Sequence, residues 1–250
     1  MKSKIIDMAV IFVLVAAVIG ISDQADIVNK AVKSSRDKAN PLEEMTVVLD
    51  PGHGGIDGGA VAADGTCEKD INLNIALKLK TLLEAEGINV IMTREHDVGL
   101  YEENTNNTSG TISSLKAEDI YQRKKIIDNA GADLVIGIHL NSFTQDPDVK
   151  GAQVFYPEAD ACGRSLKAAE IIQKDFNKNI NTDKKRTALA KSDIYVFKNP
   201  VSPIVIAECG FLSNEDDLEA LKRSDFQEKI SKSLKASICK YLSGIGNKTQ

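Results

Sequence analysis

The chain has 250 residues, 42% of them hydrophobic and 27% charged, the make-up of one ordinary globular domain with a sizeable core. Its net charge of -5 and the lack of a long basic run exclude a protein held on nucleic acid by a general positive field. Four cysteines, Cys67, Cys162, Cys209 and Cys239, are widely spaced with no Cys-x-x-Cys pair; this argues against a thiolate zinc site or a disulfide-dense scaffold, and they read mostly as packing residues.

The N-terminus opens with Lys2 and Lys4 and continues into an apolar run from Met8 to Ile21. A basic flank before a short apolar core is the pattern of a secretory signal, and Ile5 and Ile6 lengthen it toward an uncleaved anchor. Residues 1–22 are therefore assigned as a signal peptide or a membrane anchor, and either one implies export. Residues 23–44 are polar and weakly periodic, a linker or short helix; residues 45–243 form the folded domain and 244–250 a tail.

Within the domain, apolar runs at 46–50, 88–93, 134–138, 153–156, 194–197 and 204–207 read as strands. Helical patterns at 70–86, 118–130, 164–177 and 226–241 fall among them. This alternation implies an α/β fold, a single domain with a mostly parallel twisted sheet flanked by helices on both faces. In the first helix Asp70 reads as the N-cap, Ile71, Ile75, Leu79 and Leu82 as the buried face and Gly87 as the stop, which puts Glu68 just ahead of the helix. The polar segment from Gly99 to Lys116, centred on an Asn/Thr-rich stretch, breaks the rhythm; a loop of this length is either a flap beside a site or a loose insertion.

Chemistry concentrates where strands end. Val47-Val48-Leu49 runs into Asp50 and then into Pro51-Gly52-His53-Gly54-Gly55-Ile56-Asp57-Gly58-Gly59, a loop that lets backbone approach a ligand and leaves one imidazole at the strand's carboxyl end. It has neither the phosphate-loop nor the dinucleotide-loop glycine spacing. Of the three histidines, His139 closes the run Leu134 to Ile138 in the same way, whereas His96 sits in a polar loop and reads as a surface residue. Glu208 ends the apolar run Ile204 to Ala207, where an unpaired charge costs several kcal/mol, so a partner is required. Glu68 follows the His53 loop closely enough to fold back on it. Two imidazoles and a carboxylate are a zinc ligand set with a fourth position open for water, and the other carboxylate is then a general base. Pattern alone does not say which carboxylate has which duty.

Four segments, 47–55 around His53, Glu68, Ile138-His139-Leu140-Asn141, and Glu208-Cys209-Gly210-Phe211-Leu212-Ser213-Asn214, together resemble the signature segments of zinc-dependent N-acetylmuramoyl-L-alanine amidases, the amidase_3 family. Thr93-Arg94 and Arg123 are lesser features of the same likeness, which runs from about Met45 to Tyr241. The resemblance implies Zn2+ on His53, Glu68 and His139, catalytic acid/base duty for Glu208, and peptidoglycan as substrate, cut between N-acetylmuramic acid and L-alanine by zinc-activated water. The short form with an N-terminal apolar segment is most similar to the spore-cortex, germination-specific branch, which places the protein at the cell wall or spore envelope. Asp50 and Asp57 are candidate acceptors for an imidazole N–H, and Asn141 either orients a ligand or closes a turn. Two rivals stand beside this reading: a non-haem iron enzyme on the same ligands, and a non-catalytic peptidoglycan-binding protein of the same fold. An accessory protein is not readable from sequence.

Overall fold

The computed structural model describes residues 40, 42–101 and 111–246. The expected signal or anchor, most of the linker, and the centre of the Asn/Thr-rich segment lie outside the described residues. Among the described residues no helix is long and apolar enough to cross a membrane.

The strands are β1 (Thr46–Pro51), β2 (Asn89–Met92), β3 (Leu134–Asn141), β4 (Gln153–Pro157), β5 (Leu189–Lys191) and β6 (Ile204–Phe211). The helices are α1 (Glu68–Glu84), α2 (Ile112–Asn129), α3 (Arg164–Asn179), α4 (Glu215–Lys222) and α5 (Ser224–Gly246). One sheet forms in the order β2-β1-β3-β6-β4-β5. Its first four strands are mutually parallel, β4 runs antiparallel to β6, and β5 is parallel to β4.

Both faces of the central strands are apolar, as expected of parallel strands covered on two sides. Val47, Leu49, Leu134, Ile136, Ile138, Val205 and Ala207 pack against α1, α3 and α5. Val48, Val135, Ile204 and Ile206 face the other way, onto Ile127 of α2 and the 3-10 turn Tyr195–Phe197. The fold class is the one expected from the alternation of elements.

Several boundaries differ from the local reading. Asp70 is not the N-cap: α1 begins at Glu68, because the amides of Glu68 and Lys69 donate to the carbonyls of Ala60 and Gly58 at 2.9 and 3.2 Å. That cap comes from the preceding loop and leaves no local signature. α2 starts at Ile112, capped by the Thr111 side chain accepting from the Ser114 amide, so the Lys116 end of the expected loop is helical. The run 194–197 is a 3-10 turn that buries Val196 and Phe197 rather than a strand. The short edge strand β5 and helix α4 were not expected at all, and α5 extends to Gly246.

Candidate metal centre

β1 and β3 are neighbours, yet α1 follows β1 on one face of the sheet while α2 precedes β3 on the other. The connections diverge there, and a crevice opens at the carboxyl ends of the two strands. His53 leaves β1 into this crevice with φ +63°, a left-handed conformation uncommon outside glycine. Two buried arginines hold it. Arg123 donates to the carbonyls of His53 and Pro51 at 2.6 and 2.8 Å, and Arg94 to those of Pro51 and Gly52 at 2.9 and 3.0 Å. Arg123 is itself clasped by Asp50 and Asp119, each at 2.6 Å. Burial alone would raise the Asp50 carboxyl, but Arg123, the Thr93 hydroxyl and His139 outweigh it and hold that carboxyl below its usual value. Gly52 is required by contact: a Cβ there would lie 2.1 Å from the His139 ring.

Glu68 meets both histidines. Its Oε1 is 3.2 Å from His53 Nε2 and 3.1 Å from His139 Nδ1, and the three donor atoms lie within 4.8 Å of one another. The same oxygen also accepts from the Leu140 amide at 3.0 Å and from Asn72 Nδ2 at 3.2 Å, while Oε2 accepts from the Ala60 amide at 2.9 Å. Four nitrogens around one carboxylate oxygen exceed its lone pairs. A cation between Oε1 and the two imidazoles removes that crowding. The separations also approach the edge of a tetrahedron with ligands about 2.0 Å from zinc, roughly 3.3 Å. His53 Nδ1 lies 2.7 Å from Asp57 Oδ2, a bond that turns the lone pair of Nε2 toward the site.

The electrostatics fit such an ion. Burial would lower His53, but the carboxylates of Glu68 and Asp57 overcome it and push the imidazole up to about 9. Burial would raise Glu68, and its two imidazole partners hold it well below the usual carboxylate range instead. His53, Glu68 and His139 would hold such a cation, whose charge would replace the proton on His53 and the imidazoles' pull on Glu68.

Glu208 stands in register with His139 across the β3–β6 pair, so the two side chains lie side by side on one face. Its Oε2 is buried with no hydrogen-bond partner. Burial, reinforced by the charge of Glu68, pushes the carboxyl up to about 7 against the pull of His139 and His53. That value suits a group that takes and returns a proton near neutral pH. Glu208, His53 and His139 line a cavity of about 560 Å³ walled by Ile120, Ile194, Tyr195, Val196 and Ile206. Larger hollows of about 810 and 750 Å³ lie elsewhere, along α3 and the loop after it.

The structure thus brings His53, His139 and Glu208 to one cavity, with Glu68 against the two histidines that line it. Of the candidate acceptors, Asp57 faces an imidazole, whereas Asp50 serves Arg123. His96 is exposed, and Asn141 is the last residue of β3, its side chain accepting from the adjacent Ser142 amide. All four cysteines are free. Asn72 and Asp119 were missed, although each sits four residues from a partner on the same helix, Glu68 and Arg123, a spacing that places them on a shared face.

The match to the N-acetylmuramoyl-L-alanine amidase family (Amidase_3) covers residues 47–240. The germination-specific N-acetylmuramoyl-L-alanine amidase of Bacillus subtilis (strain 168) is 38% identical over 210 residues, 83% of this chain and 84% of that protein. Among solved structures, the CwlD amidase from Clostridioides difficile, in complex with the GerS lipoprotein, superposes with a TM-score of 0.75 at 41% identity, covering 80% of this chain and 99% of that one. The amidase AmiC2 of Nostoc punctiforme gives 0.66 at 28% identity, with 80% and 97% covered.

Proposed function

This chain belongs to the N-acetylmuramoyl-L-alanine amidase family, and from that premise we propose that His53, Glu68 and His139 hold a zinc ion while Glu208 moves the protons of amide hydrolysis. The bond is the one between N-acetylmuramic acid and L-alanine of the peptidoglycan stem. Membership in a family of hydrolases leaves the iron and oxygen reading, and the purely binding one, without support. When bound, zinc supplies the Lewis acidity that makes water nucleophilic near neutral pH and polarises the amide carbonyl. Asp57 fixes the His53 ring, and the Arg94–Arg123 pair fixes the backbone from which it projects. Glu208 Oε2 accepts the proton of the attacking water and returns it to the nitrogen of the departing alanine, a contribution of about 10² to 10⁴ in rate.

The likeness to a germination-specific enzyme supports a role in the spore cortex. The N-terminal apolar run supports export, secreted or anchored at the wall or spore envelope. The GerS complex of a relative supports an accessory protein for this chain as well.

The observation that carries the reading is the meeting of two imidazoles on one Glu68 oxygen with the unpartnered Glu208 carboxylate beside them. Metal analysis of the purified protein is expected to find stoichiometric zinc. Mass spectrometry of digested peptidoglycan is expected to find peptides beginning with L-alanine from the wild type and, in the same digestion time, about 10² to 10⁴ times less from Glu208→Gln. Equal release by both proteins removes Glu208 from its role, and iron in place of zinc overturns the metal assignment.

A further inference from the structure

The face of the sheet that carries Glu208 does not end at the pocket. Ile206, which lines the pocket, is in register with Phe155 on β4, and Phe155 is in register with Leu189 on β5. Three apolar side chains therefore share one face and step outward at about 4.8 Å per strand. The strip is open at its outer end, where Leu189 is 47% exposed.

Lys191 stands over this strip. It lies two residues beyond Leu189 on the same strand, hence on the same face, and its Nζ is 5.3 Å from the centre of the Phe155 ring. The Glu158 amide donates to its carbonyl at 3.0 Å, and only Ser192 and Asp193 separate it from Ile194 in the pocket wall. The side chain is half-buried and makes no ion pair among the described residues, whereas Lys116 at the opposite rim is held by Asp57 at 2.6 Å. A half-buried cation without a carboxylate partner, at the end of an apolar strip leading from a hydrolytic pocket, is complementary to an anion that the substrate brings.

We infer that Lys191 binds a carboxylate of the leaving peptide, carried by the residue after the scissile alanine, with that peptide lying across Phe155. The assignment rests on the amidase reading and names the part of the substrate this side of the pocket takes. The sugar side offers no carboxylate before cleavage, since its lactyl carboxyl is tied up in the amide, so the anion comes from the peptide. Two residues of extended peptide span about 7 Å, which together with the reach of the Lys191 side chain back over Phe155 covers the roughly 10 Å between β6 and β5.

The test uses the zinc-loaded enzyme and two soluble muramyl peptides that differ only in the residue after alanine, a carboxylate in one and its carboxamide in the other. The wild type is expected to favour the acid about tenfold in kcat/KM, through KM, as befits a hydrogen bond between charged groups. Lys191→Met, which keeps the aliphatic stem over Phe155, is expected to bring the ratio near one, and Lys191→Arg to retain it. A readout independent of turnover is the Kd of the uncleaved acid peptide on zinc-loaded Glu208→Gln protein, expected to rise about tenfold when Lys191→Met is added. A wild type that cleaves both peptides equally well, or a Lys191→Met variant that keeps the preference, overturns the role of Lys191 and leaves the amidase reading standing. A wild type that cleaves neither overturns the amidase reading and this assignment with it.

Discussion

The two faces of the sheet are built from the same strands and end differently. On the face toward α1, α3 and α5, the alternate residues Val47 and Leu49, Leu134, Ile136 and Ile138, and Val205, Ala207 and Cys209 remain apolar to the strand ends, all but fully buried. On the face toward α2, Val48 gives way to Asp50, Val135 to His139 and Ile206 to Glu208 over the last few residues. With side chains alternating every second residue, one set of strands supplies both an unbroken core and a polar cluster at a single edge. Stability and chemistry are therefore separable by face, and substitutions on the two faces should fail in different ways.

The largest effect is expected at Glu208. Glu208→Gln keeps the shape and removes the proton acceptor, so kcat should fall by about 10² to 10⁴, with zinc content and melting temperature close to wild type. Parallel loss of metal or fold would show that the carboxylate is structural. Next comes Arg123→Met, which leaves Asp50 and Asp119 buried without their cation and frees the carbonyl of His53, while Arg94 still holds that of Pro51. A cost of about 3–5 kcal/mol is expected in urea unfolding, because removing one partner strands the other charges. On the opposite face, Leu79→Ala opens a cavity under α1 at a cost of about 2–5 kcal/mol. Its folded fraction should keep wild-type kcat and zinc affinity. If Leu79→Ala disturbs kcat as strongly as Arg123→Met does, the two faces are not separable.

How much of this was legible beforehand follows from the same geometry. Strands buried on both sides read as unbroken apolar runs, so a His or Glu at the end of such a run stands out, and His53, His139 and Glu208 were found in that way. Glu68 was harder, because the cap of α1 is made by the Ala60 and Gly58 carbonyls and nothing local marks where the helix starts. Which carboxylate faces the imidazoles could not be read from pattern, since the answer depends on Glu68 folding back beneath the loop; the family likeness supplied the assignment. The work of Arg94 and Arg123 was invisible for a related reason: most of their partners are backbone carbonyls, which every residue owns. β5 is too short to show a period, and 194–197 is apolar because it packs on Ile204 and Ile206 as a turn, a case in which an apolar run does not specify strand.

The smallest predicted change sharpens the comparison most, since it touches neither a proposed ligand nor the core. Asp57 accepts from His53 Nδ1 at 2.7 Å, and its other oxygen takes the Lys116 ammonium at 2.6 Å and the Gly59 amide at 3.2 Å. Burial would raise this carboxyl, but Lys116 and His53 hold it at about 2, so it is a full anion throughout the working pH range. Asp57→Asn keeps the volume and much of the hydrogen bonding while removing the charge that holds the ring and makes Nε2 more basic. Zinc affinity, measured by competition with a chelator, should fall about 10- to 100-fold, the usual cost of losing the partner behind a histidine ligand. Activity should return once free zinc is raised to match. Unchanged affinity would mean that the arginine-held backbone alone presents His53, and the polar end of the α2 face would then owe its order to Arg94 and Arg123 rather than to the charge behind the imidazole.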